Sequence, residues 1–394
     1  MKRIYLDYAA TTPTHPEVVK EILPYFNEVY GNPSSIYQIA QRAKWAVGEA
    51  REKVARLINA KAEEIIFTSG GTEADNMTIK GIVFANKRCG NHIVTSKIEH
   101  HAVLNACKWF EKQGFKITYI SVDKYGMIDL DELRKSLTDK TILISIMHAN
   151  NEVGTIEPIS EIARIAKEKG IYFHTDAVQT VGKVSLDVKE LGVDLLSLSG
   201  HKLYGPKGVG ALYIRKGVKI SPLIHGGHHE RNKRAGTENV PGIVGLGKAC
   251  EIAVKEMAAE GRRLKVLRDR LYKGLSERID EIVLNGHPQD RLPGILNICV
   301  KYVEGESMLI NLDLEGICAS SGSACTSGLL EPSHVLLAMG IPPEVAHGSL
   351  RFSLGRDTTE GDVGRVIEVL PPIVEKLRAM SPFGKKVKSD KYRG

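Results

Sequence analysis

Between residues 64 and 215, short apolar runs alternate with amphipathic helical patterns, and this alternation constrains the fold more than any other feature of the sequence. The runs predict seven strands, near residues 65–68, 93–95, 117–120, 142–146, 171–173, 195–198 and 209–214. Continuous apolar strands separated by helices indicate a mostly parallel sheet that is covered on both faces. The sequence therefore predicts an α/β fold in which a ligand binds beyond the carboxyl ends of the strands.

The length of 394 residues exceeds the size at which a single hydrophobic core usually stops growing, so two domains are expected. A long charged helical region covers about 240–278, with a break predicted near Gly261. The later pattern is shorter and mixed, and it ends in an amphipathic helix near 359–380. We predict a large domain over 16–255 and a smaller α+β domain formed by 1–15 and 256–394.

Composition and charge narrow the class of protein. The chain is 42% hydrophobic and 26% charged, as ordinary globular proteins are, and it lacks an apolar run of the roughly 18 residues that a membrane helix needs. A cytoplasmic enzyme is the expectation. The net charge of +7 owes much to the basic stretch 385–393, which is typical of a solvated end or of a docking surface for an acidic partner. Since no nucleic-acid-binding motif accompanies it, direct binding of nucleic acid is not expected.

The strongest local motif is Ser-Gly-His-Lys-Leu-Tyr-Gly-Pro-Lys-Gly-Val-Gly at 199–210. Lys202 follows a predicted strand and precedes a glycine-rich turn, so its amine can reach a site and form a Schiff base with an aldehyde cofactor. Ser199 and His201 offer hydrogen bonds to a phosphate. Taken alone, the motif also fits a glycine-rich hairpin with a surface lysine.

Three further groups follow strand ends. Gly71 and Thr72 open a predicted helix after a glycine turn, where free backbone N–H groups can bind a phosphate. An ordinary capped turn between a strand and a helix would have the same sequence pattern. Asp176 can keep a pyridine nitrogen protonated, or it can simply cap a helix. The remaining candidates from strand ends, for contacts with the ring of such a cofactor, are Gln179, Asn151 and His100. Together these are the parts of a pyridoxal-phosphate site.

The six cysteines form no CxxC pair, which disfavours a structural zinc site and fits a reducing compartment. Cys325 differs from the others because it lies in the small, polar run Ser-Ser-Gly-Ser-Ala-Cys-Thr-Ser-Gly at 320–328. Such neighbours are typical of a thiol that must move and stay accessible, whereas a core cysteine needs none of them.

With these motifs in hand, the chain resembles the cysteine desulfurases of the NifS/IscS type, which are fold-type-I pyridoxal-phosphate enzymes. The resemblance runs from Tyr-Leu-Asp-Tyr-Ala-Ala-Thr-Thr at 5–12, through Gly-Asn-Pro-Ser-Ser at 31–35, to Ser-Leu-Arg-Phe-Ser-Leu-Gly at 349–355. Its most specific parts are the lysine motif and Ser-Ala-Cys-Thr-Ser at 323–327. This chain departs from the family pattern at two positions: His228 stands where the family usually has glycine, and Ala235 stands where it usually has serine.

The resemblance implies a role for each candidate. Lys202 would hold pyridoxal 5′-phosphate, and Cys325 would accept sulfur from L-cysteine as a persulfide, leaving alanine; that persulfide could also be a transient ligand of iron. His100 would stack on the ring and move a proton. The other cofactor contacts would come from Gly71, Thr72, Asn151, Asp176, Gln179, Ser199 and His201, and from Thr237 of a neighbouring subunit. Asn32 and Arg351 would hold the substrate carboxylate.

These roles imply a homodimer that passes sulfur to an iron–sulfur scaffold protein or another acceptor. Two alternatives stay open from the sequence. One is a related pyridoxal-phosphate enzyme, such as a selenocysteine lyase or an aminotransferase. The other is a sulfur-binding assembly subunit that docks its partners through the basic tail, which an intact Lys202 disfavours.

Overall fold

Twelve strands are present in the part of the chain that the computed structural model describes, residues 3–321 and 332–380. In chain order they are β1 (Ile4–Tyr5), β2 (Ile65–Thr68), β3 (His92–Ser96), β4 (Lys116–Ile120), β5 (Thr141–Ser145), β6 (Tyr172–Asp176), β7 (Leu195–Ser199), β8 (Gly210–Ile214), β9 (Ile282–Asn285), β10 (Ile295–Val300), β11 (Ile317–Cys318) and β12 (Ser349–Ser353). Seven of them form one sheet in the order β2-β8-β7-β6-β5-β3-β4. The strands from β3 to β7 are parallel, and β8 is antiparallel to β7 and β2. The predicted seven-stranded, mostly parallel sheet is therefore confirmed.

Helices cover both faces of this sheet, because strands that are buried throughout, such as β3 and β5, need apolar cover on either side. In chain order the helices are α1 (Pro16–Ile22), α2 (Pro24–Asn27), α3 (Gln38–Leu57), α4 (Gly71–Asn86), α5 (His101–Glu111), α6 (Leu130–Ser136), α7 (Ile159–Glu168), α8 (Val188–Leu191), α9 (Val240–Ser276), α10 (Gly305–Leu314), α11 (His334–Ala338), α12 (Pro343–Ala346) and α13 (Glu360–Met380). Within these described residues, no helix combines the length and the apolar character that crossing a membrane requires.

A second, smaller sheet is antiparallel and has the order β12-β10-β9. The N-terminal segment belongs with it: β1 pairs with β11, and Leu6 is fully buried in the apolar cluster that this sheet forms with α10 and α13. Beyond β1 the segment continues beside β12, where Asp7 and Ser353 form a parallel bridge. This course carries residues 7–10 to the edge of the large sheet.

Helix α9 runs for 37 residues without interruption, so the break predicted near Gly261 is wrong. A glycine costs about 1 kcal/mol inside a helix, and here packing outweighs that cost, because α9 lies against α3 in its first half and against α13 later. Its residues 240–253 join the large-sheet core and residues 264–275 join the smaller one. The domain boundary near 255 stays a prediction.

Candidate active site

A cleft of about 420 Å³ opens at the carboxyl ends of the parallel strands. Ten of the residues predicted from the sequence line it: Gly71, Thr72, His100, Asn151, Asp176, Gln179, Ser199, His201, Lys202 and Arg351. Sequence reasoning missed several other lining residues, notably Ala9, Ala10 and Asp75.

Lys202 ends a single 3-10 turn that follows β7 directly. Its Nζ donates hydrogen bonds to the carbonyl oxygens of Ala9 at 2.6 Å and Ala10 at 2.7 Å. Burial, and then the positive charge of Arg351, lower the pKa of Lys202 to about 8, although nearby carboxylates oppose the shift. A lysine that is partly neutral near physiological pH can act both as a nucleophile and as a base.

Asp176 is the last residue of β6 and is buried at the back of the cleft. Its Oδ1 accepts the backbone N–H of Val178 at 2.9 Å, which fixes the carboxyl in place. Burial raises the pKa of Asp176 to about 6, and the Val178 hydrogen bond and the charge of Lys202 limit the rise. The group is therefore largely ionised at neutral pH and can bind a protonated ring nitrogen.

A second buried carboxyl, Asp75 of α4, also lines the cleft. The nearby Ser197 has its Oγ 2.9 Å from Nε2 of His174, and His174 Nδ1 is 2.9 Å from Oγ of Ser145. Burial and the adjacent Asp176 raise the pKa of Asp75 well above its ordinary value, and Ser197 partly opposes the rise. Two neighbouring carboxyls out of water cannot both be ionised easily, so Asp75 holds the proton of the pair and Asp176 carries the charge.

His100 caps the N-terminus of α5, and its Nδ1 accepts the N–H of Ala102 at 3.1 Å. Burial, and then the charge of Lys202, lower the pKa of His100 to about 4, so the ring is neutral. With Nδ1 used as an acceptor, the hydrogen-bonding pattern assigns the ring proton to Nε2. The resting ring is therefore neutral and offers a hydrogen-bond donor at Nε2.

The opposite end of the cleft is built from the start of α4 and the turn after β7. Gly70 has φ of 151° and precedes the helix, whose first N–H groups have no partner within the helix. A side chain at Gly71 would come within 2.7 Å of Val178 Cγ2, so the backbone there must stay bare. His201 Nδ1 lies 3.1 Å from Thr11 Oγ1, and burial lowers the pKa of His201 to about 4.

Gln179 is held from both sides of its amide. Its Nε2 donates to the Ala9 carbonyl at 2.9 Å, while its Oε1 accepts from Nζ of Lys183 at 3.0 Å. Because a carbonyl oxygen only accepts, the amide orientation is fixed, and Gln179 keeps its second N–H for a ligand. Lys183, which sequence reasoning missed, has a pKa lowered to about 7 by burial and by the charge of Lys202.

Arg351 lies in β12 and enters the cleft from the smaller sheet. Its NH2 group binds Oδ1 of Asp7 at 2.8 Å, and NH1 donates to the carbonyl oxygen of Asn151 at 2.8 Å. Nε is buried and has no hydrogen-bond acceptor among the described residues. Part of the guanidinium is therefore available to a bound carboxylate.

Two of the predicted residues do not line this cleft, and a third lies outside the described residues. Asn32 is exposed, and its Oδ1 accepts the N–H of Ser34 at 3.0 Å within a turn. Thr237 is exposed as well and does not line the cleft of its own chain. Cys325, with its predicted roles as sulfur acceptor and transient iron ligand, lies outside the described residues. Within those residues, no group of three or more histidine, cysteine, aspartate or glutamate side chains is arranged to hold a metal ion.

Comparison with known proteins gives one family. The aminotransferase class-V family model matches residues 4–366. A curated relative from Methanosarcina thermophila, named cysteine desulfurase IscS, is 61% identical over 382 residues, which cover 97% of this chain and 94% of the relative.

Two solved structures agree with that result. A NifS-like protein superposes with a TM-score of 0.90 at 40% identity, covering 95% of this chain and 100% of that structure. SspA in complex with cysteine superposes with a TM-score of 0.80 at 36% identity, covering 89% of this chain and 98% of that structure.

Proposed function

The chain belongs to the aminotransferase class-V family and is a cysteine desulfurase, and from that premise we propose that Lys202, Asp176 and Cys325 carry out its reaction with pyridoxal phosphate as cofactor. The family depends on that cofactor in general. One observation carries the proposal: the cleft brings together a depressed-pKa lysine, an ionised buried carboxylate and a bare helix N-terminus at one sheet edge.

The residues of the cleft fit the cofactor. Asp176 would bind the ring nitrogen, Gln179 and Asn151 the ring oxygen, and His100 the ring face. The cradle of Gly71 and Thr72, together with Ser199 and His201, would hold the phosphate, since a helix N-terminus favours an anion. The cofactor would supply an electron sink for the carbanion formed at the substrate α-carbon.

The chain's own groups then divide the work. Arg351 holds the substrate carboxylate, and the amine of Lys202, freed by the incoming amino group, moves the α-proton. The Cys325 thiolate attacks the substrate sulfur, so that a sulfur–sulfur bond forms as the carbon–sulfur bond breaks. Cysteine and the enzyme thiol thus become alanine and an enzyme persulfide, with no other reactant needed.

Position along the chain supports the assignment of Cys325. Ser320 lines the cleft, and Cys325 follows it by five residues in the sequence. Five residues of fully extended chain span at most about 17 Å. After the segment 322–331, which contains Cys325, Ser333 binds the buried Glu152 and His334 binds the carbonyl of Glu99. Both flanks of the segment therefore lie beside the cleft.

We also propose a homodimer in which Thr237 completes the phosphate site of the partner subunit. Thr237 is exposed, yet its neighbour Arg234 binds Glu73 in the first turn of α4 at 2.8 Å. Large apolar side chains are exposed between residues 23 and 45, where Ile36 and Trp45 keep 94% and 80% of their surface. Large apolar side chains exposed to this extent suit an interface with a second copy of the chain.

The activity is tested by incubating the purified protein with L-cysteine and measuring alanine and sulfur release together. We expect alanine without transfer of the amino group to a keto acid, which an aminotransferase would require. Borohydride reduction followed by peptide mass spectrometry should find the cofactor on Lys202. An adduct on Lys207 instead, or none, would remove the assignment. Transfer of the persulfide sulfur to an iron–sulfur scaffold protein or another acceptor is the expected next step.

A further inference from the structure

The N-terminal segment 7–10 holds both cationic groups of the cleft. Asp7 binds Arg351 through its carboxylate, and the backbone carbonyls of Ala9 and Ala10 accept hydrogen bonds from Lys202. The family resemblance implies no role for Asp7, Ala9 or Ala10, and Asp7 has no role in the proposed mechanism. Its position raises the question of what a carboxylate does beside the arginine that must receive another carboxylate.

The segment places Asp7 with little freedom. The Ser353 N–H donates to the Leu6 carbonyl at 2.7 Å, and the Tyr8 N–H donates to the Ser353 carbonyl at 3.2 Å. The Ala9 N–H donates to Ser353 Oγ at 2.9 Å. Since side chains on one strand alternate between faces, Arg351 and Ser353 project to the same side of β12. Asp7 therefore faces Arg351 because of backbone pairing on either side of it.

The contacts of the guanidinium decide between two roles for Asp7. A competitor of the substrate would occupy the edge formed by Nε and NH2, which binds carboxylates through two hydrogen bonds. Asp7 instead uses one oxygen, on NH2, while the Asn151 carbonyl takes NH1. Nε is left buried without an acceptor among the described residues, and the Arg351 side chain is only 6% exposed.

We propose that Asp7 is a positioning residue: together with the Asn151 carbonyl it holds the guanidinium of Arg351 so that its Nε edge meets the α-carboxylate of the substrate. This inference rests on the proposed role of Arg351. A buried arginine needs such partners to keep one rotamer. Hydrogen bonds from neighbouring groups determine how precisely a ligand-binding side chain is oriented towards its ligand. The other charged groups that face Arg351 are Glu152, Lys202 and Lys183, and none of them makes a hydrogen bond to it.

The test compares L-cysteine with L-cysteine methyl ester, in which the carboxylate is masked. For each holoenzyme variant the ratio of kcat/KM for the two substrates measures carboxylate recognition, and general structural damage lowers both values without changing the ratio. Asp7→Ala should lower the ratio at least 10-fold, mainly through KM for L-cysteine. Asp7→Asn keeps an acceptor oxygen on NH2 and should stay within about threefold of the wild type.

Two further variants make the outcome decisive. Glu315→Ala breaks an ion pair of the same 2.8 Å length to Arg365; neither residue lines the cleft, so the ratio should stay unchanged. Arg351→Gln should abolish the preference for L-cysteine; if it does not, the proposed role of Arg351 is wrong. If Arg351→Gln lowers the ratio but Asp7→Ala leaves it unchanged or raises it, Asp7 does not position the arginine. A loss in Asp7→Asn as large as that in Asp7→Ala would also overturn the proposal.

Discussion

The lowered pKa of Lys202 gives a prediction whose size follows from the structure. With a pKa of about 8, about 10% of the Lys202 amine is neutral at pH 7, whereas an ordinary lysine with a pKa of about 10.4 is neutral to about 0.04%. The reactive fraction is thus larger by roughly 250-fold. Because burial is the main cause, this advantage exists before any cofactor binds.

Competitive labelling with acetic anhydride measures it directly. The cofactor-free protein is labelled between pH 6 and 11, and the modification of each lysine is quantified by mass spectrometry against Nα-acetyl-lysine amide. Lys202 should titrate near 8, and Lys183 near 7 as a second half-buried lysine. Since burial slows labelling at every pH, the midpoint and not the rate is the measured quantity.

Two substitutions check the electrostatic causes. Arg351→Gln removes a neighbouring positive charge and should raise the midpoint of Lys202, whereas Asp176→Asn removes a stabilising negative charge and should lower it. A wild-type midpoint near 10 would refute the reasoning. A midpoint near 8 that neither substitution moves would leave burial as the only cause.

Three other outcomes are expected. Asp75→Asn should raise the Tm of the cofactor-free protein at pH 8 but not at pH 4. Because the pKa of the buried Asp75 is raised well above 3.8 in the folded protein, the stability linked to its proton is lost as pH rises from 3.8 through the folded pKa. An unchanged Tm at pH 8 contradicts this. Gly71→Ala should weaken cofactor binding at least 10-fold in an absorbance titration, because the added methyl group meets Val178, while Gly364→Ala, which meets nothing within 4 Å, should bind normally. Trp45→Asp should shift the protein towards monomers in sedimentation at micromolar concentration, and an unchanged dimer would place the interface elsewhere.

The strands and the cleft were predictable because they rest on local signals. A parallel strand buried on both faces is a continuous apolar run, and the polar residue that follows it must lie at the ligand edge of the sheet. For that reason Lys202, Asp176 and His100 could be assigned to one site from their places after three separate strands. All three line the cleft, and their roles in the reaction stay predictions.

The missed contacts depend on long-range packing. Asp7 and Arg351 are 344 positions apart, and nothing near either residue in the sequence signals the other. Asp75 lies in the second turn of a helix, where a carboxylate is typical of a solvated face, and only the packing of α4 on the sheet buries it. The unbroken course of α9 at Gly261 has the same origin, since helix packing outweighed a local preference.

The central claim is that Cys325 accepts the sulfur of L-cysteine, and a single-turnover measurement of alanine tests it most directly. The holoenzyme is mixed with L-cysteine without reductant, and alanine is quantified together with the extra sulfur atom on the Cys325 peptide. Wild type and Cys318→Ser should form alanine and persulfide in equal amounts, because Cys318 lies in β11 as a packing residue. Cys325→Ser should still bind the cofactor but release almost no alanine, since a serine oxygen is a far weaker nucleophile towards sulfur. Alanine formation that persists in Cys325→Ser would contradict the account.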